Sequence, residues 1–343
     1  TAELAFDFFI KMIKYIRDHV KIIRLTVPNE EAAYTIFETL NDRGLDLSPL
    51  DLVKNHLFGK VSSRDVDIRD LEYRWSQMMS NLSNVRPDSF LKAFWTSRHG
   101  RIRSSNLFDA FKRAYPTRDE TIPLSHDMVT ASEQYAALET ADDPIWAGHT
   151  AECGRTLQAL RTLGGQPVHP VMLSALARMS NCHVERVLKL LEVIIVRYQL
   201  IGGGNTGRFE STCARVARGI FSQELQNPQR VFDEMKELYP SDSEFKQNFR
   251  VKQERNNQKV QYLLRRIEET AQKQMHGKFS EEVMPANITV EHVLPKRPGS
   301  EWESTLSGDP DLVDEGTFRL GNQTLLTKEI GRASCRERVF PVV

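Results

Sequence analysis

Thr289-Val290-Glu291-His292-Val293-Leu294-Pro295-Lys296, followed by Phe318-Arg319-Leu320-Gly321-Asn322-Gln323-Thr324-Leu325-Leu326, reads as two short apolar strands joined by a long polar loop. Pro295 marks the exit of the first strand, since it has no N–H for a ladder. Glu291 and His292 stand at that exit, and Gly321-Asn322 lies at the heart of the second element. Neighbouring side chains on a straight strand point to opposite faces, so Glu291 and His292 can serve one site only if the strand bends out of register there. Asn322 carries an amide that both donates and accepts, beside a glycine that lets backbones approach. Its expected role is to brace the intervening loop and orient the histidine.

Upstream of this stretch the pattern is helical. Ser48 is placed to cap a helix with Pro49 at its first position and Asp51 at its third, running through Leu52, Val53 and Leu57 to a stop at Gly59. A preceding helix is expected from Asn29 through Ala33, Phe37 and Leu40 to a turn at Asn41-Asp42-Arg43-Gly44. Further helices are expected over 2–19, 71–82, 88–95, 107–115, 128–138, 153–163, 170–179, 184–198 and 210–225, separated by Pro, Gly or Asn-Ser breaks. Phe37, Leu40, Leu52 and Leu57 are expected to face the interior. The fold class that follows is mainly α: an irregular helical bundle, then a small ββ segment. Segment limits are expected at 1–60, 61–226, 227–330 and 331–343.

The chain has 343 residues, 40% hydrophobic and 27% charged, which is the composition of an ordinary soluble protein of two or three domains. Lys+Arg and Asp+Glu both number 46, so bulk charge selects no partner and any polyanion-binding face must be local. Between Lys246 and Arg266 one sustained basic stretch stands out. It holds Lys246, Arg250, Lys252, Arg255, Lys259, Arg265 and Arg266 against the single acid Glu254, and could follow a DNA backbone or be a solvated face. Cys153, Cys182, Cys213 and Cys335 are widely spaced without C-x-x-C, which argues against a zinc staple and fits a reducing compartment, here the cytoplasm. No apolar run is long enough for a membrane span. The chain opens on Thr1 and enters directly on a helical pattern, so the N-terminus reads as a cut edge.

Several motifs point to less. His292-x-x-Pro295 is weak alone: with 9 His and 15 Pro in the chain, roughly 0.4 such spacings arise by chance. Gly202-Gly203-Gly204-Asn205 lacks the Lys-Ser/Thr of a phosphate loop and reads as a turn. His169 and His183 have no second or third ligand at metal spacing.

In combination the segments resemble a known family. Phe37 to Asn55, with Asn41-Asp42-Arg43-Gly44-Leu45-Asp46-Leu47-Ser48-Pro49-Leu50-Asp51, resembles the end of the ParB/sulfiredoxin-like domain of GmrSD-type, modification-dependent restriction endonucleases. Glu291-His292-Val293-Leu294-Pro295 with Leu320-Gly321-Asn322-Gln323-Thr324-Leu325-Leu326 resembles the first two-thirds of their HNH (ββα-metal) nuclease site. The resemblance implies a bacterial phage-defence endonuclease acting on DNA, modified phage DNA in particular. It implies His292 as general base and Glu291 as ligand of a divalent metal, Mg²⁺ by the chemistry. It also implies nucleotide binding through an Asp-Gly-Gln-Gln-Arg motif in an N-terminal part, and that motif is nowhere in this sequence. After Thr324-Leu325-Leu326 the family continues into a helix whose Asn is a second metal ligand, where this chain has Gly331. Residues 331–343 read as foreign to the domain, so the HNH part is expected to be truncated and this copy inactive. The alternative is a helical interaction or DNA-sensing module carrying a structural HNH remnant.

Overall fold

The computed structural model describes residues 2–21, 26, 48–62, 64–276, 288–302, 306 and 312–327. The expected helix at Asn29 to Leu40, with Phe37, the Asn41 to Gly44 turn, Gly331 and the 331–343 tail lie outside the described residues. Within them the chain is mainly helical, in agreement with the sequence. In order come α1 (Ala2–His19), α2 (Pro49–Val61), α3 (Asp65–Asn81), α4 (Pro87–His99), α5 (Leu107–Ala114), α6 (Arg118–Leu138), α7 (Ala151–Leu163), α8 (His169–Arg178), α9 (Asn181–Ile194), α10 (Thr206–Phe221), α11 (Pro228–Met235), α12 (Asp242–Val251) and α13 (Asn257–His276). Strand β1 (Ile288–His292), the short α14 (Leu312–Gly316) and β2 (Gln323–Thr327) complete it.

Local chemistry explains the starts and stops. The Ser48 hydroxyl accepts the Asp51 N–H at 3.2 Å and donates to its carboxylate at 2.9 Å, with Pro49 in the first turn. Helix α2 does not stop at Gly59; it runs to Val61, whose burial rewards the extra half-turn. On α2 Val53 and Leu57 are fully buried, whereas Leu52 lies only half inward. Helix α6 starts ten residues before the expected Met128, because Glu120 accepts from both the N–H and the hydroxyl of Thr117. That cap outweighs Pro123 inside the helix. The expected helix through Tyr198 widens after Ile194 into a π-helical segment, Ile195–Ile201, closed by the Gly202 N–H on the Arg197 carbonyl at 3.1 Å. The following glycines are packing residues: a Cβ on Gly204 would meet the Tyr198 ring at 2.5 Å.

Buried apolar side chains form two clusters. One gathers α2 to α6 around Phe90, Phe94 and Phe111; the other gathers α7 to α13 around Leu157, Leu191 and Phe209. Helix α8 joins them, with Leu173 in the first and Val171, Met172 and Ala175 in the second. Val260 and Leu263 of α13 and Leu320 belong to the second cluster, and Val290 of β1 packs on it. The ββ segment is therefore seated on the bundle's own core, and the two clusters meet at α8.

Helix α13 is fixed by charge as well as by apolar packing. The Glu192 carboxylate, 2% exposed, accepts from Tyr262 Oη at 2.7 Å, Arg266 Nη2 at 2.6 Å, Lys189 Nζ at 2.8 Å and Thr156 Oγ1 at 3.4 Å. Burial pushes this carboxyl up, but the Lys189 hydrogen bond and the Arg266 charge outweigh it and hold it below the usual range. Truncating one partner of such a group strands the other charges, so Glu192→Ala should cost about 3 kcal/mol, against about 1 kcal/mol for Tyr262→Phe. Because the folded carboxyl titrates low, its contribution is present above the ordinary carboxylate range and is lost as pH falls through the lowered value. Urea unfolding of the two variants at neutral and acidic pH checks this; a smaller effect for Glu192→Ala than for Tyr262→Phe would refute the ranking.

Candidate nuclease site

The two strands pair antiparallel, with Ile288 opposite Thr327, Val290 opposite Leu325, Glu291 opposite Thr324 and His292 opposite Gln323. The second strand starts later than expected, since Leu320–Asn322 forms a 3₁₀ turn before β2. A second, single bridge joins Gln253 to Arg319; the Glu254 N–H donates to Phe318 O at 2.9 Å and the Leu320 N–H to Lys252 O at 3.1 Å. The backbone of the basic stretch thus holds the chain that enters β2. Gln323 adds to this by donating from Nε2 to the carbonyls of Glu254 and Phe318.

Asn322 clamps the loop after β1. Its Oδ1 accepts the Leu294 N–H at 2.7 Å, its Nδ2 donates to Leu294 O and Thr317 O, both at 3.0 Å, and its backbone carbonyl accepts the Val293 N–H at 2.9 Å. Gly321 is exposed with open space where a Cβ would stand, so the turn does not depend on a close approach there.

Glu291 and His292 are not drawn together by a bulge. Both stay in the ladder, and the bend comes after them, at Val293 and Leu294. Glu291 accepts from the Thr289 hydroxyl at 3.0 Å, two residues back on its own face. His292 stands edge-on to Phe318, with centroids 5.7 Å apart, and its Nε2 is buried without a hydrogen-bond partner. The Phe318 ring also carries Arg255, 4.5 Å from its centroid, and Lys296 at 5.4 Å. Burial lowers the His292 pKa, the Lys296 charge lowers it further, and Glu291 partly restores it. Phe318 and Lys296 lie inside the two quoted segments, yet the sequence carries no signal that they meet around one ring.

Among the described residues, no three His, Cys, Asp or Glu side chains gather as a metal site. Glu291 offers one carboxylate beside the strand, and the described residues do not by themselves hold an ion. The basic stretch is scattered by the fold. Lys246 and Arg250 are exposed on α12, Arg255 is exposed over Phe318, and Lys259 and Arg265 are half-buried on α13. Lys252 lies 3.7 Å from Glu254. Arg266 is taken into the Glu192 network, with Glu269 at 2.9 Å and Glu152 at 3.4 Å, so its guanidinium serves the fold rather than a surface.

An acid and a histidine thus stand at the end of one strand of an antiparallel pair, with an asparagine clamping the exit loop. Residues 2–58 match the family model for the GmrSD restriction endonuclease N-terminal domain, and residues 239–333 match that for the GmrSD restriction endonuclease C-terminal domain. No curated protein matches the chain. With both domains in this order, the two matches support a GmrSD-type restriction endonuclease family for the chain. Neither match covers 59–238. Among the described residues no helix is long and apolar enough to cross a membrane.

Two outcomes check this geometry. Asn322→Ala removes three side-chain bonds, whereas Asn322→Asp keeps only the one from Leu294 N–H. Hydrogen exchange at Leu294 should accelerate more in the alanine variant, by roughly fivefold for each bond of about 1 kcal/mol; equal rates in the two would contradict the clamp. Lys296→Ala should raise the His292 pKa in an NMR titration, because a repelling charge is removed; an unchanged value would show that Lys296 does not act on the ring.

Proposed function

We propose that the chain belongs to a phage-defence DNA endonuclease of the HNH (ββα-metal) type, with His292 as general base. The observation that carries the proposal is the reciprocal clamp of Asn322 on Leu294, which fixes the strand exit where His292 stands. Lowered basicity keeps the imidazole neutral near pH 7, able to take a proton from water as the water oxygen bonds to phosphorus and the bond to the 3′ oxygen breaks. Arg255 and Lys296, one on each of two segments that meet at Phe318, supply positive charge for the phosphate oxygens. Lys246, Arg250, Lys252, Lys259 and Arg265 extend the backbone contact, and modified phage DNA in the bacterial cytoplasm is the intended substrate.

In this reading Glu291 would be the ligand of a divalent ion, Mg²⁺ by its preference for hard oxygen donors, whose chemistry when bound would be to offset charge at the leaving oxygen. Glu291 alone does not position an ion, so no step is derived through it. Gly331 has no side-chain donor atom where the family resemblance implies an asparagine, and this chain is accordingly expected to cleave little or not at all. The competing reading, an interaction or DNA-sensing module with a structural remnant of the nuclease, predicts none even when that asparagine is restored.

Nicking of supercoiled plasmid with Mg²⁺ or Mn²⁺ separates them. Gly331→Asn should increase nicking over the unsubstituted chain, and His292→Ala in that background should reduce it by roughly 10²–10⁴-fold, the usual worth of a general base. Nicking indifferent to His292 would refute the assignment, and robust Mg²⁺-dependent cleavage by the unsubstituted chain would refute the role given to Gly331.

A further inference from the structure

The helical middle of the chain holds a cleft of about 1570 Å³ walled by α3, α4, α6, α7 and α10, with Arg86, Lys92, Arg103 and Arg161 on its lining. A second cleft of about 580 Å³ lies between α7 and α13 and is lined by Arg155, Arg265 and Gln261 among others. Gln158 and Arg161 of α7 line both, so the two adjoin. Gln261, on the wall of the second, donates to the Ile288 carbonyl at 3.2 Å, where β1 begins. The clefts therefore lead from the bundle toward the strand that carries His292.

Their charges are unequally used. Of the acids on the larger cleft, Glu139 lies 3.7 Å from both Arg161 and His169, Glu210 pairs with Arg101 at 3.2 Å, and Asp143 accepts the Ile145 N–H at 3.0 Å. Asp142 remains. The exposed cations Arg86, Lys92 and Arg103 have no ion-pair or hydrogen-bond partner for their side chains among the described residues. Three unspent cations against one carboxylate, along a concave wall, concentrate positive potential that the fold itself does not need.

We propose that the adjoining clefts are a binding track for the phosphate backbone of DNA, formed by Arg86, Lys92 and Arg103 and leading along α7 and α13 to β1. The proposal rests on the nuclease reading and places the three cations of the track in the region that neither family match covers. A backbone track of this kind is sequence-independent and salt-sensitive, since each neutralised phosphate releases a counterion.

The test is anisotropy of a fluorescein-labelled DNA duplex titrated with the full 343-residue chain in the absence of divalent cations. The Arg86→Ala/Lys92→Ala/Arg103→Ala variant should bind about tenfold or more weakly and lower the slope of log K against log salt by about 2–3. A control that removes equal charge from exposed residues outside the clefts, Arg69→Ala/Arg230→Ala/Lys236→Ala, should leave both nearly unchanged. Equal loss in the two triple variants, or none in the cleft variant, would overturn the track while leaving the nuclease reading intact. Failure of the unsubstituted chain to bind the duplex would overturn both. Thermal melting verifies that the variants fold, and Arg103→Glu alone should weaken binding in the same direction if the triple variant melts early.

Discussion

A single buried carboxylate positions the C-terminal part of the molecule. Glu192 sits on α9, and its hydrogen-bond partners come from three helices: Thr156 on α7, Lys189 on α9 itself, and Tyr262 and Arg266 on α13. A charge taken this far out of water is tolerated only with several donors in place. The arrangement therefore specifies where α13 must lie, more sharply than the apolar contacts of Val260 and Leu263 could alone. Helix α13 in turn bonds β1 through Gln261 and shares its core with Val290 and Leu320. The location of His292 is thus set by an ion network some distance from it.

Around His292 the organising group is an aromatic ring. Phe318 is delivered by the short pairing of 252–254 with 318–320, and it gathers Arg255 from one segment, Lys296 from a second and His292 from a third. The ring's negative face offsets part of the repulsion between two cations, while its edge contact with the imidazole adds to the burial that lowers basicity. This also explains why Glu291 and His292 part company. The ladder keeps period two through His292, so the face that meets Phe318 is the histidine's, and the glutamate turns to Thr289.

Much of this was legible in the sequence, and the failures are instructive. Helix positions followed from spacing and from caps such as Ser48 to Asp51, and the presence of two strands, the second within 320–326, followed from two apolar segments flanking a polar loop. The brace at Asn322 followed from what an amide can do beside a strand exit. What escaped depends on partners far along the chain. The basic run from 246 to 266 looked uniform, yet Arg266 is matched to Glu192, 74 residues away, and Arg255 to the Phe318 ring. A charge count along the sequence cannot distinguish a cation neutralised by the fold from one left for a ligand. The early start of α6 was readable from Thr117 and Glu120; the π turn was not, because its local composition is that of any apolar helix.

The same distinction applies to a chain with zero formal net charge that nonetheless carries two restriction endonuclease domain matches. Affinity for a polyanion depends on local potential rather than on the sum of charges. Folding here consumes cations and acids together wherever helices meet, as at Arg98 with Asp127, Arg197 with Asp242 and Arg266 with Glu192. What remains unpaired along the larger cleft is three cations and one acid, because its other acids are spent on Arg101, Arg161, His169 and a backbone amide. A neutral chain can in this way carry a cationic face, built by pairing its acids with other groups of the fold rather than by adding lysines and arginines.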